Sequence, residues 1–120
     1  MGNFEDCIDI IEMVADAING DEKSMRDTIE YLTGERPDDD ASRNDLHEAF
    51  SDAVYEWPLS VERDGAALEV ALTVGGPGVY LVREPFGWGD GMRYVEGGQP
   101  RRTYDGEAVT TILDFFDEVF

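Results

Sequence analysis

The apolar residues of this chain change period once, at Pro58, and that switch constrains the fold more than any other feature. Before it they recur every three or four positions, as on one side of a helix; after it they alternate, as on one face of a strand. Phe4, Cys7, Ile8, Ile11, Val14, Ala15 and Ile18 form the first helical stripe, which Asn19-Gly20 ends with residues tolerant of a left-handed cap. Met25, Ile29 and Leu32 form a second, shorter stripe, opened by Ser24 and Asp27 in a capping-box arrangement and closed by Gly34. Leu46, Phe50, Ala53, Val54 and Trp57 form a third, with Asp38, Asp39 and Asp40 as candidate caps. Pro58 stops it because proline disfavours the helical conformation in the residue before it.

Beyond Pro58, Leu59 and Val61 lead into Asp64-Gly65, a two-residue hairpin signal. Leu68, Val70, Leu72 and Val74 then alternate with Glu69, Ala71 and Thr73, the pattern of a strand with one buried face. A turn at Gly75-Gly76-Pro77-Gly78 returns the chain as a strand over 79–83, and further strands are expected over 92–95 and 101–104. Val109, Ile112, Leu113, Phe116, Val119 and Phe120 give a closing helix its apolar face. The expected fold is α+β: three N-terminal helices, an antiparallel meander of about five strands, and a C-terminal helix packed on one face. It forms a single domain over 1–120, with an acidic helical part (1–57) and a sheet-plus-helix part (58–120).

Charge then limits what such a domain can touch. The 120 residues carry 28 Asp plus Glu against 9 Lys plus Arg, a formal charge of −19. A surface this negative repels phosphates and anionic lipid, so direct binding to nucleic acid or membrane is not expected. The hydrophobic fraction of 42% is too high for a disordered acidic tail. The acidity is uneven: residues 1–60 hold 17 acids and 4 bases, net −13, whereas residues 61–120 hold 11 and 5, net −6. Cys7 alone cannot form an internal disulfide, the N-terminus lacks the basic and apolar regions of a signal peptide, and no apolar run approaches the ~20 residues of a membrane span. A cytoplasmic protein, monomer or homodimer, is expected.

The polar side of the first helix is the most informative local feature. Glu5, Asp9, Glu12 and Asp16 follow at i, i+4, i+7 and i+11, so four carboxylates share one stripe with no basic residue among them. Their axial spacing of about 4.5 to 6 Å is of the same order as the step between charges along a nucleic acid strand. Like charges at i, i+4 cost a few tenths of a kcal/mol per pair, which an ordinary helix avoids by interspersing lysine. The stripe is either a solvated face or a surface shaped to meet cations. The Asp38, Asp39 and Asp40 run forms a secondary acidic patch. It does not make a calcium loop, because Arg43 stands where the turn glycine belongs and Ala49 where the bidentate glutamate belongs. Phe86 and Trp88, set between glycines, either anchor a partner or fold back over the sheet.

No catalytic or metal constellation emerges. His47 is the sole histidine and has no second His or Cys near it in sequence; Cys7 lies on the apolar stripe; Ser24, Ser42, Ser51 and Ser60 occupy no nucleophile context. Neither enzyme activity nor a cofactor is expected.

In general character the chain resembles the small acidic anti-restriction and anti-CRISPR proteins of phages and mobile elements. That resemblance implies an inhibitor whose carboxylates imitate DNA charge within the basic cleft of a DNA- or RNA-binding protein or nuclease complex. The segment Leu72-Thr73-Val74-Gly75-Gly76-Pro77-Gly78-Val79-Tyr80-Leu81 is also similar to a strand, Gly-Gly-Pro, strand segment of uncharacterised phage proteins, and it carries no functional residue across. Two alternatives remain open. Lys23 is the only lysine beside eight arginines, and 15 Asp exceed 13 Glu, a composition shared by domains of salt-adapted or high-GC organisms. A nuclease-immunity-type adaptor that binds a basic protein without copying DNA would have the same charge.

Overall fold

A computed structural model describes residues 4–73, 78–84, 90–95 and 102–119. Phe86, Trp88 and the Gly-Gly-Pro turn at 75–77 lie outside the described residues. The helical half follows the apolar stripes. α1 (Phe4–Ile18) buries Cys7, Ile11, Val14, Ala15 and Ala17, and Gly20 leaves the helix at φ 109°, a conformation that costs a residue with a Cβ. α2 (Glu22–Thr33) begins earlier than its expected capping box. Asp21 is the N-cap: its carboxylate accepts the Lys23 N–H at 3.1 Å and also the Ser24 hydroxyl at 2.9 Å. Ser24 therefore supports the cap from inside the first turn, because an aspartate three residues upstream reaches the open N–H groups first. α3 (Arg43–Glu56) is capped by Ser42, whose hydroxyl accepts the Asp45 N–H at 3.1 Å, so the aspartate run does not perform that role. Trp57 closes α3 by donating its N–H to the Val54 carbonyl at 3.2 Å.

The second half is one antiparallel sheet in the order β1-β2-β3-β4-β5. β1 (Ser60–Asp64), β2 (Ala67–Thr73), β3 (Gly78–Arg83) and β4 (Asp90–Val95), of five to seven residues each, form its body. β5 (Arg102–Tyr104) adds three residues along the β4 edge. Asp64 pairs with Ala67, so the hairpin loop is Gly65-Ala66, one residue later than the expected Asp64-Gly65. Gly65 supplies the positive φ of 60°, which leaves Asp64 free to close the ladder.

Alternation gives the sheet two unlike faces. Leu68, Val70 and Leu72 of β2, Val79 and Leu81 of β3, and Met92 and Tyr94 of β4 are buried on the inner face. α4 (Glu107–Asp117) covers them with Val109, Ile112, Leu113 and Phe116. α1 packs along α4, α2 packs against α1 and α3, and α3 meets α4 through aromatic rings. Phe4 of α1 meets Tyr94 edge-on at 5.6 Å, and Tyr55 of α3 stacks on Phe115 of α4 at 4.8 Å. No described helix is long and apolar enough to cross a membrane.

The last turn of α4 has no basic residue of its own to offset its exposed carbonyls, and the sheet supplies the missing cations. Arg83 projects from the inner face of β3 and grips Asp90 of β4 through two bonds, at 2.9 and 2.8 Å. The same guanidinium reaches Asp114 at 2.6 Å and Asp117 at 2.9 Å on α4, and Arg63 of β1 also pairs with Asp117. The Arg83 and Asp90 side chains are only 19% and 12% exposed, so this clasp is sheltered where most surface ion pairs are not. The Arg83 bond holds the Asp90 carboxyl below its ordinary value of 3.8, with a smaller contribution from the Thr110 hydroxyl.

A carboxyl whose pKa is lowered by folding stabilises the native state above its ordinary pKa, and that stability is lost as pH falls through its native value. The wild-type chain should therefore lose stability below about pH 4. Asp90→Asn should cost about 1–3 kcal/mol at pH 7 and flatten this acid limb, measured by chemical unfolding at several pH values. A variant with an unchanged acid limb would show that the clasp does not couple folding to pH.

Candidate functional site

The basic side chains locate the site by what they occupy. Lys23 pairs with Asp27 at 3.0 Å, and Arg36 pairs with Asp27 at 2.6 Å and Glu30 at 3.3 Å, all on or beside α2. These partners, Arg36 first, hold the Asp27 carboxyl below its usual value. Arg26 donates to the backbone carbonyls of Asp38 and Asp39, at 3.4 and 3.1 Å. Arg93 pairs with Glu84 at 2.6 Å, while Arg63 and Arg83 form the α4 clasp. Each of these six cations ties one segment of the fold to another or steadies a helix.

None of them reaches the α1 stripe. Glu5, Asp9, Glu12 and Asp16 are all exposed, and among the described residues none forms an ion pair. The helix therefore carries its full self-repulsion. Glu5 lies in the favourable first turn, but α1 has no basic residue in its last turn to offset Asp16.

Tertiary packing enlarges the stripe in a way the α1 spacing did not reveal. α4 lies beside α1, and an open trough of about 360 Å³ between them is lined by Glu12, Asp16, Asn19, Tyr104, Glu107 and Thr111. The Tyr104 hydroxyl donates to Glu12 Oε1 at 3.4 Å. Burial raises the Tyr104 pKa, and the charge of Glu12 raises it further, so the phenol remains a neutral donor. Its ring lies against the α4 N-cap, where a Cβ on Gly106 would collide with it. The requirement for glycine there is steric, since its φ of −66° suits any residue.

The other expected site residues are placed differently. Asp38, Asp39 and Asp40 are exposed in the connection between α2 and α3, where Arg26 holds their backbone, and they do not line the α1–α4 trough. Glu107 joins the stripe, and Asp114 and Glu118 follow it along the polar side of α4 at the i, i+7 and i+11 spacing seen in α1. That repeat was present in the sequence, but only the packing of α4 against α1 gives it meaning. No three described His, Cys, Asp or Glu residues are arranged to hold a metal ion. Comparison with protein-family models, curated proteins and solved structures finds no match.

Neutralising the stripe should stabilise the fold, because the repulsion relieved outweighs the favourable first-turn charge of Glu5, and a glutamine at position 12 can still accept from Tyr104. The variant Glu5→Gln, Asp9→Asn, Glu12→Gln, Asp16→Asn should gain about 1 kcal/mol in total, seen as a Tm rise of several degrees in about 0.1 M salt. The gain should shrink in about 1 M salt, where exposed charges are screened within about 3 Å. A lower Tm for the variant in dilute salt would show that these carboxylates contribute to folding.

Proposed function

We propose that the protein is a small acidic inhibitor that binds the basic nucleic-acid cleft of a DNA- or RNA-binding protein, such as a restriction, CRISPR or regulatory nuclease complex, by presenting carboxylates in place of phosphates. One observation carries this reading: six of the nine cations, Lys23, Arg26, Arg36, Arg63, Arg83 and Arg93, are engaged along α2 or at junctions of the fold, and among the described residues none pairs with the exposed carboxylates of the α1 stripe. A fold under pressure only to remain soluble has no reason to keep four adjacent carboxylates uncompensated at a standing cost. A partner with a basic cleft gives that arrangement a use, since complementary fields accelerate encounter and exclude neutral competitors.

On this reading the α1 stripe with Glu107 is the principal contact, the Asp38–Asp40 run is a secondary one, and Phe86 and Trp88 add apolar contact. The protein acts in the cytoplasm as a monomer or homodimer, without enzymatic activity, cofactor or direct contact with nucleic acid. Affinity rests on exposed ion pairs, so it should fall steeply as salt rises.

The test uses wild-type protein and the four-carboxylate variant as paired baits in host lysate, followed by competition with the DNA or RNA of whatever the wild type retains. The expected result is a nucleic-acid-binding protein that the wild type retains and the variant loses by about tenfold or more, with nucleic acid and inhibitor mutually exclusive. Equal retention by the two baits would overturn the stripe assignment. A partner that binds inhibitor and nucleic acid together would point instead to an immunity-type adaptor.

A further inference from the structure

The trough between α1 and α4 continues into a second hollow. Asn19 and Thr111 line both, and the second adds apolar side chains to a polar lining. This hollow, about 410 Å³, lies where the four helices converge and is lined by Ile18, Met25, Phe50 and Phe115, with Asp114 and Glu118 among the polar residues at its sides. Phe115 is held from behind by its stack on Tyr55 at 4.8 Å and by the edge of Phe50 at 6.1 Å, so its ring is a firm wall. The volume is at the lower end of the range for ligand sites, enough for one large side chain with the backbone that carries it.

The geometry points to the trough and hollow as one docking site for a basic protein segment that carries a single large apolar side chain. Arginines or lysines of the segment would lie along Glu12, Asp16 and Glu107, and the apolar side chain would rest against the half-buried Ile18 and Phe115. The inference rests on the cationic-partner reading above and adds a recognition element that phosphate mimicry alone does not need. Charge complementarity selects this occupant. A nucleic acid strand is repelled by the carboxylates along the trough, and a second copy of the chain would bring another −19 charge against them. An apolar anchor ringed by charge also supplies what a screened surface lacks, a contact that survives salt.

The test uses two synthetic peptides of alternating arginine and serine, one with a central tryptophan and one with alanine in its place, titrated into isotopically labelled protein and followed by NMR. The tryptophan peptide should bind about tenfold more tightly. Its shifts should centre on Ile18, Ser51, Thr111 and Phe115. Ser51→Trp, which fills the hollow from α3, should abolish the difference between the peptides and leave alanine-peptide binding intact. Glu118→Gln, a milder change at the rim, should weaken both peptides slightly and keep the difference. The four-carboxylate α1 variant should weaken both peptides alike. Equal binding of the two peptides to wild type, shifts away from the hollow, or binding by the chain to itself at that face would overturn the docking site while leaving the stripe reading intact. Undiminished binding of the alanine peptide to the α1 variant would overturn the stripe reading instead.

Discussion

Scarcity of positive charge is the constraint that organises this protein. With nine cations against 28 anions, every guanidinium placed within the fold leaves carboxylates elsewhere without a partner. Arg83 shows where placement matters most: one side chain joins β4 through Asp90 to α4 through Asp114 and Asp117. Without it, the end of α4 would face the sheet with aspartates and bare carbonyls, an arrangement that repels at short range. Arg36 and Lys23 do the corresponding work on α2, and Arg26 holds the α2–α3 connection.

The exposed stripe is the counterpart of that placement. Its members lie within a Debye length of their neighbours at physiological salt, so a cationic surface meets them as one block of charge. α4 extends the block with Glu107, the end of β5 places Tyr104 beside Glu12, and the half-buried Phe115 lies where the acidic trough ends. Electrostatic encounter and apolar anchoring thus have adjacent places on one helical surface.

The architecture was legible in the sequence wherever apolar period and turn chemistry agreed. The α1 stripe, the β2 alternation and the Gly34 helix end all appear where the pattern puts them. Finer assignments failed where two residues of equal local merit competed within a few positions. Asp21 caps α2 ahead of Ser24, and Ser42 caps α3 after three aspartates that had the same chemistry to offer. The hairpin loop moved from Asp64-Gly65 to Gly65-Ala66 because one glycine satisfies either register. Side-chain junctions were beyond reach for a different reason. Arg63 and Asp117 are 54 positions apart, and Arg83 and Asp117 are 34 apart, so only the packed sheet and helix bring them together. For the same reason the carboxylates of α1 were visible as a stripe, but their junction with α4 was not.

Whether the carboxylates serve a partner or a saline interior is decided most directly by the salt requirement of folding itself. Unfolding of the wild-type chain, followed by circular dichroism in about 0.1 M and about 1 M potassium chloride, separates the two, because the higher concentration reduces the screening length to about 3 Å. A cooperative transition from a folded state in the dilute buffer is the expected result for a surface kept negative in order to be bound. A chain that is unfolded there and folds only in the concentrated salt would contradict it.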